Sequence, residues 1–352
     1  MNFFAKSKEF LKSKLFYKMP EPLFKNKDIF FNQITKSKDY RIASFGELNK
    51  DKIFYVIRRY PGAGFFSNFT YVLNHLQIAD KFNYIPFVDM ENFPSWYNEK
   101  DKIKNTFNSW EYYFDQVSDY KIKEIYKSAN VIFTGKTFYN DFEKTIFKKK
   151  SLKKIFDKYI KIKDTFLKVS QKFIIQNFKN KKTLGVYLRD GEFRSIPNHA
   201  LPPTKKQIIN NVKKIFENGK YEKIFLCSKE KNHIKIFEKY FKDRYIVYDS
   251  FRSEEDCFAV YPRKNHRYLL GAEILTETLI LSQLDGLIFS LSNVSSAAIF
   301  FNLNPGQKKN IIDNGYNHHN RTIALFYWYI KNILPEKFGG FKKNAIKEII
   351  NL

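Results

Sequence analysis

The sequence predicts an α/β fold made of two halves, each with a parallel sheet. Short apolar runs rich in β-branched and aromatic residues alternate with segments of helical periodicity, the order that βαβ units need. A Gly-rich turn, Pro61-Gly62-Ala63-Gly64, joins the first clear strand to the first clear helix. The length of 352 residues suits two domains, at roughly 100–200 residues each.

Residues 1–50 mix basic and aromatic side chains. Residues 7–16 can form a short amphipathic helix, read either as a packing arm or as a surface-seeking helix. Residues 52–58 (KIFYVIR) read as a buried strand, 68–82 as a helix with Tyr71, Val72 and Leu76 at apolar positions, and 84–89 as the next strand. Residues 102–119 read as a solvent-facing helix with Trp110 and Tyr113 turned to the core. Residues 121–182 carry Lys-rich helical patterns, and the basic cluster at 148–154 reads as a solvated helix face. A second series starts near Thr183 with the strand 184–188 (LGVYL). A helix at 205–216 follows, with Thr204 as its N-cap. Then come strand 223–227, helix 232–241, strand 245–248, helix 271–284, strand 286–289 and a helix over 295–301. A last helix at 321–333 is expected to pack back across the first half. The predicted division is 1–175 and 176–352, each half Rossmann-like. No short-period repeat is present, which excludes a solenoid.

Composition narrows the function. Hydrophobic residues at 43% and aromatics at 18% exclude a disordered chain. Two cysteines, Cys227 and Cys257, exclude a disulfide framework and a Cys-x-x-Cys knuckle. The six His form no metal set, and neither Asp-x-Asp, Gly-x-Ser-x-Gly nor His-Glu-x-x-His occurs. No apolar run reaches the ~18 residues of a membrane-spanning helix. The first twenty residues scatter Lys among Phe and Leu, unlike a signal peptide, so the expected location is cytoplasmic. Lys and Arg number 62 against 36 acids, a net charge of +26. Such a surface is drawn to polyanions, including the inner face of the membrane. The Lys-, Phe-, Ile- and Asn-rich bias of an AT-rich genome accounts for the same charge.

In parallel sheets ligands bind beyond the carboxyl ends of strands. Four loops lie there, at 61–68, 189–198, 228–232 and 290–296. In the second, Arg189 can clamp a phosphate or carboxylate through two parallel hydrogen bonds, with Asp190 and Glu192 beside it. Ser290, Ser292 and Asn293 open a helix, where hydroxyls and backbone N–H groups can hold an anion; a simple cap would need one Ser. Gly62 and Gly64 permit close backbone approach but lack the third Gly of a dinucleotide loop and the Lys-Ser/Thr of a P-loop. Glu277 interrupts an apolar run; on spacing alone it reads as an exposed helix residue. Buried, it would suit the N1–H and N2–H edge of guanine.

The order of these pieces resembles the fucosyltransferase-like GT-B superfamily of α1,6-fucosyltransferases, nodulation fucosyltransferase and protein O-fucosyltransferases. Their strand ending in Gly-Val-His-x-Arg-Arg-x-Asp is similar to Gly185-Val186-Tyr187-Leu188-Arg189-Asp190-Gly191-Glu192. Arg189 falls on the arginine that binds the β-phosphate; Tyr187 replaces the His and Asp190 the second Arg. The family's second block resembles residues 275–285 followed by Ser290-Leu291-Ser292-Asn293. It puts Glu277 on the guanine-binding acid and Ser292 on the diphosphate-binding Ser. Residues 223–232 stand where the family has a strand followed by Asp-Asp, with Lys229 and Glu230 replacing that pair and Ser228 before them as a substrate-binding candidate, and Gly62, Ala63, Gly64 and Asn68 resemble the family's Gly-rich loop facing the diphosphate.

The resemblance implies two Rossmann-like domains facing each other across a cleft, the first on the acceptor side, the second binding the nucleotide sugar. It implies an inverting transferase with a GDP-sugar donor, without a metal or other cofactor. The sugar would be fucose, a heptose or a related deoxyhexose. The acceptor would be a bacterial surface glycan such as capsule or lipopolysaccharide, free or lipid-linked. Asp190, Glu192 and His199 are the base candidates, with the two acids ahead. The alternative is a non-enzymatic nucleic-acid-binding protein using the basic surface. No helix-turn-helix, RNA-recognition motif or zinc finger supports it, so no nucleic acid is expected as a partner.

Overall fold

A computed structural model describes residues 40–59, 62–135, 150–189, 191–253 and 256–349, with the side chains of Lys150 and Glu192 excepted. The expected helix at 7–16, Asp190 and the start of the 148–154 cluster lie outside these residues.

The first sheet has strands β1 (Arg41–Ala43), β2 (Phe54–Ile57), β3 (Ile85–Val88) and β4 (Val131–Phe133) in the order β1-β4-β2-β3. β2 pairs in parallel with both β3 and β4, and β1 closes the edge antiparallel. Helix α1 (Phe65–Lys81) makes the crossover from β2 to β3. It begins three residues earlier than its periodicity suggests, because Phe65 and Phe66 already pack in the core.

The expected helix at 102–119 does not form. Asn108 accepts from Met90 N (3.2 Å) and donates to Val88 O (2.7 Å), while Gln116 accepts from Val88 N (2.9 Å). Side-chain amides take the strand's carboxyl end here, in competition with helix bonding. Trp110 and Tyr113 are buried, as expected. The Lys-rich stretch likewise hides β4, whose three residues are too short to show a period, and a single turn, α2 (Ile122–Ile125). Helices α3 (Lys150–Tyr159) and α4 (Asp164–Phe178) complete it.

The second sheet contains β5 (Thr183–Tyr187), β6 (Lys223–Cys227), β7 (Tyr245–Ile246), β8 (Gly286–Phe289), β9 (Lys308–Ile312) and β10 (Ile346–Ile349). Their order is β10-β9-β8-β5-β6-β7, parallel except for β10. Helices α5 (Lys205–Asn218), α6 (Lys231–Phe241), α7 (His266–Leu281) and α8 (Asn293–Phe301) connect the strands, and α9 (Arg321–Ile333) follows β9. Thr204 caps α5 in a full capping box with Gln207. α9 lies against the 3-10 turn Gly191–Ser195, and Trp328 Nε1 donates to Pro202 O at 2.8 Å.

One apolar cluster joins Phe65, Phe69 and Tyr113 to Leu270, Leu275 and Phe301. Tyr113 Oη donates to Tyr268 O at 3.0 Å. A Cβ on Gly271 would meet that Tyr113 oxygen at 2.2 Å. Gly271 therefore makes room for a ring inside α7, where the sequence suggests a helix start. Gly271→Ala should lower stability by about 1–3 kcal/mol through overpacking, measured by urea denaturation. An unchanged midpoint would show that Tyr113 yields freely.

Candidate active site

The order β8-β5-β6 reverses direction at β5, so the gap between the ends of β5 and β8 is a topological switch point, where open α/β sheets bind ligands. Arg189 occupies it. Its backbone N–H donates to Ser290 Oγ (2.8 Å), tying the two strand ends together. Its guanidinium donates to Leu291 O and to His199 Nδ1 (2.8 Å) and lies 3.9 Å over the Phe193 ring. The side chain is thus held in one direction before any ligand arrives. A guanidinium only donates, so His199 Nδ1 accepts and the ring proton sits on Nε2. In this geometry His199 braces the Arg189 guanidinium.

The three serines have distinct local tasks. Ser290 anchors Arg189, while Ser292 caps α8 by accepting from Val294 N (3.1 Å) and Ser295 N (3.2 Å). Ser295 returns a bond to Ser292 N at 3.0 Å, completing a capping box. The cap therefore takes two Ser, and Asn293 opens the helix beside Arg189's partners. Tyr187, at the end of β5, packs partly buried in the cluster under the sheet.

Beyond β6 the site turns acidic. Glu277 is only 5% exposed, so its reading as an exposed residue fails. The apolar run around it is buried on all sides because α7 lies between the two halves. Ser250 Oγ donates to Glu277 Oε1 (3.0 Å), Arg252 Nη2 stands 3.7 Å away, and the Cys227 thiol also faces it. Burial pushes the carboxyl up to about 7, against the opposing pull of Arg252 and Ser250. Glu277 lines a partly open pocket with Ser250, Phe251, Lys229 and Glu273, and Tyr97 of the first half contributes to its lining. A carboxylate lining such a pocket can accept from a paired N–H edge.

The first sheet repeats the arrangement. It reverses at β2, and there Arg58 N donates to Thr134 Oγ1 at 3.0 Å, as Arg189 N does to Ser290. The following loop needs Gly62, at φ +84° and with Ser95 Cβ 3.2 Å from where its own Cβ would stand. Asn68 braces the loop, accepting from Ala63 N (2.9 Å) and donating to Ala63 O (3.1 Å). Its amide acts through the loop backbone, leaving Gly64 open at the start of α1. Asp89, part of the nearest substitute for Asp-x-Asp, is buried against Tyr126 Oη (2.6 Å) and Asn92 (2.8 and 2.9 Å). Among the described residues no group of three or more His, Cys, Asp or Glu could hold a metal.

Solved fucosyltransferases resemble this chain. A NodZ α-1,6-fucosyltransferase co-crystallised with GDP is 13% identical, with a TM-score of 0.46, covering 75% of this chain and 96% of its own. Fucosyltransferase NodZ from Bradyrhizobium is 14% identical, with a TM-score of 0.45 and coverage of 74% and 95%. POFUT1 in complex with GDP is 12% identical, with a TM-score of 0.36 and coverage of 75% for each chain. No family model and no curated protein matches the sequence.

Sequence reasoning missed a polar lattice around Ser228. Ser228 Oγ bonds His233 Nδ1 (2.7 Å) and accepts from Glu230 N (3.2 Å), and its carbonyl accepts from Arg252 Nε (3.2 Å). Glu230 accepts from Gly191 N and stands 3.9 Å from Arg194 and 3.5 Å from His233. Burial lowers His233 to about 4, so it stays neutral near pH 7. This lattice fastens the Arg189 loop to β6 and to the Glu277 wall. Its members are far apart in sequence and match no motif; only the strand-end position of residues 228–232 signals it.

Proposed function

We propose that the protein is a glycosyltransferase of GT-B-like architecture that uses a GDP-sugar. One observation carries the reading: a prepositioned guanidinium at the switch point stands at the same carboxyl end of the sheet as a buried carboxylate in a separate pocket, beside Cys227 at the end of β6. Arg189 would receive the diphosphate and Glu277 the guanine edge, with Ser292, Asn293 and the Gly62–Gly64 loop nearby. The donor sugar is fucose, a heptose or a related deoxyhexose, and the acceptor a bacterial surface glycan such as capsule or lipopolysaccharide.

The reaction is read as inverting. The acceptor oxygen bonds to the anomeric carbon from one face as the carbon–oxygen bond to the diphosphate breaks on the other. The acceptor proton passes to a carboxylate following Arg189, Asp190 or Glu192. The electron pair of the broken bond stays on the diphosphate, where the Arg189 guanidinium meets it as charge develops. Charge neutralisation by fixed donors supports a metal-independent course.

The test is thermal unfolding with GDP, UDP, CMP, ADP or a mixed oligonucleotide, with and without EDTA. GDP at a hundredfold excess over Kd should stabilise the native state by about 2.7 kcal/mol, with the same rise in EDTA. A rise with UDP alone would discard the guanine reading of Glu277. Loss of the GDP rise in EDTA would overturn metal independence. A salt-sensitive rise with oligonucleotide only would replace the enzyme by a nucleic-acid binder.

A further inference from the structure

Helix α9 has two unlike faces. Ala324 and Trp328 are buried against the second half, whereas Ile323, Phe326, Ile330 and Ile333 are 46%, 54%, 51% and 80% exposed. Spaced by three and four residues, these four form one stripe on the opposite side of the helix. Phe338, 65% exposed, lies in the turn after α9. Scattered exposed apolar residues are ordinary, but a continuous helix face of them is not. Charge decides what covers it. Residues 321–347 hold six basic side chains against a single acid, Glu336. Of these, Arg321, Lys337, Lys342 and Lys343 are exposed, at the start of α9 and in the segment that follows it. Apolar side chains flanked by Lys and Arg suit an interface whose core is hydrocarbon and whose rim is anionic. No helix among the described residues is long and apolar enough to cross a membrane, so contact through this face would be in the plane of the surface.

We propose that this face of α9, with the turn after it, docks the protein on an anionic lipid bilayer. The position matters to the transfer. Asn317 donates to Arg194 O (3.1 Å), Ile196 O (3.2 Å) and Ala324 O (3.1 Å), and the Arg194 guanidinium lies 4.7 Å over Trp328. α9 is therefore pinned to the loop that carries Arg189 and His199. A docked α9 holds that loop about one helix diameter, ~10 Å, from the lipid. This favours a lipid-linked acceptor; that step rests on the transferase reading, whereas docking itself does not.

The full-length chain is sedimented with phosphatidylcholine vesicles, with or without phosphatidylglycerol, at low and high salt. The wild type should pellet with the anionic vesicles and be released by salt. Phe326→Glu with Ile330→Glu should reduce the bound fraction roughly tenfold or more while keeping the GDP-induced thermal shift. Lys342→Ser with Lys343→Ser should weaken binding to anionic vesicles only. The proposal is overturned if the wild type stays in the supernatant, or if the Phe326/Ile330 variant pellets like the wild type. It is also overturned if sedimentation velocity finds a dimer that the same substitutions dissociate without changing vesicle binding. A lost GDP shift in all variants and the wild type, with vesicle binding intact, would refute the transferase and leave the docking face standing.

Discussion

Arg189→Ala should lower turnover of the GDP-sugar by roughly 10²–10³, the cost of removing one preorganised charge stabiliser. The fall should appear mainly in kcat, because in the proposed reaction diphosphate charge grows as the bond to the sugar breaks. Arg189→Lys should recover little. A point charge cannot donate to Leu291 O and His199 while also presenting a fork to the phosphate. Steady-state kinetics on variants with native circular dichroism and an unchanged unfolding transition would check this. Turnover within threefold of wild type in folded Arg189→Ala would remove Arg189 from the machinery.

Glu277→Gln should have opposite effects on stability and on nucleotide binding. The folded protein holds the Glu277 proton up to about pH 7, well above the usual carboxyl value of 4.5. The resulting stability is fully present below the unfolded pKa and is lost as pH rises through about 7. Glu277→Gln removes that slope and should be more stable than wild type at alkaline pH. It should bind GDP ~10- to 100-fold more weakly, since an amide turns an N–H toward a donor edge and leaves it unpaired. On the proposed function GDP selects the carboxylate in the wild type, so binding near pH 7 should release a proton. Calorimetry in buffers of different ionisation enthalpy reads that release. Proton-neutral binding, or equal affinity in the variant, would place the base elsewhere.

The legible parts of the sequence are those whose physics is local. The strands 54–57, 223–227 and 286–289 declare themselves through apolar β-branched runs. Thr204 is readable as a cap because its bond spans three residues. The edge strands β1 and β10, the interior strand β9 between β10 and β8, and the short β4 are not legible, because their stability comes from partners across the sheet. The segment 102–119 misled because its helical period serves packing around Trp110 and Tyr113, while Asn108 and Gln116 bond the backbone of β3 instead.

The sequence by itself determined the alternation of strand and helix, the Gly turn before α1 and the presence of Arg189 directly after a strand. Each depends on neighbours within a few residues. Only the tertiary structure decided what those residues face. The order β8-β5-β6 joins Arg189 to Ser290, a hundred and one residues away, and packing between the halves turns Glu277 from a solvent-facing acid into a buried one. Pairing order and burial arise from contacts distant in the chain, and a linear pattern does not record them.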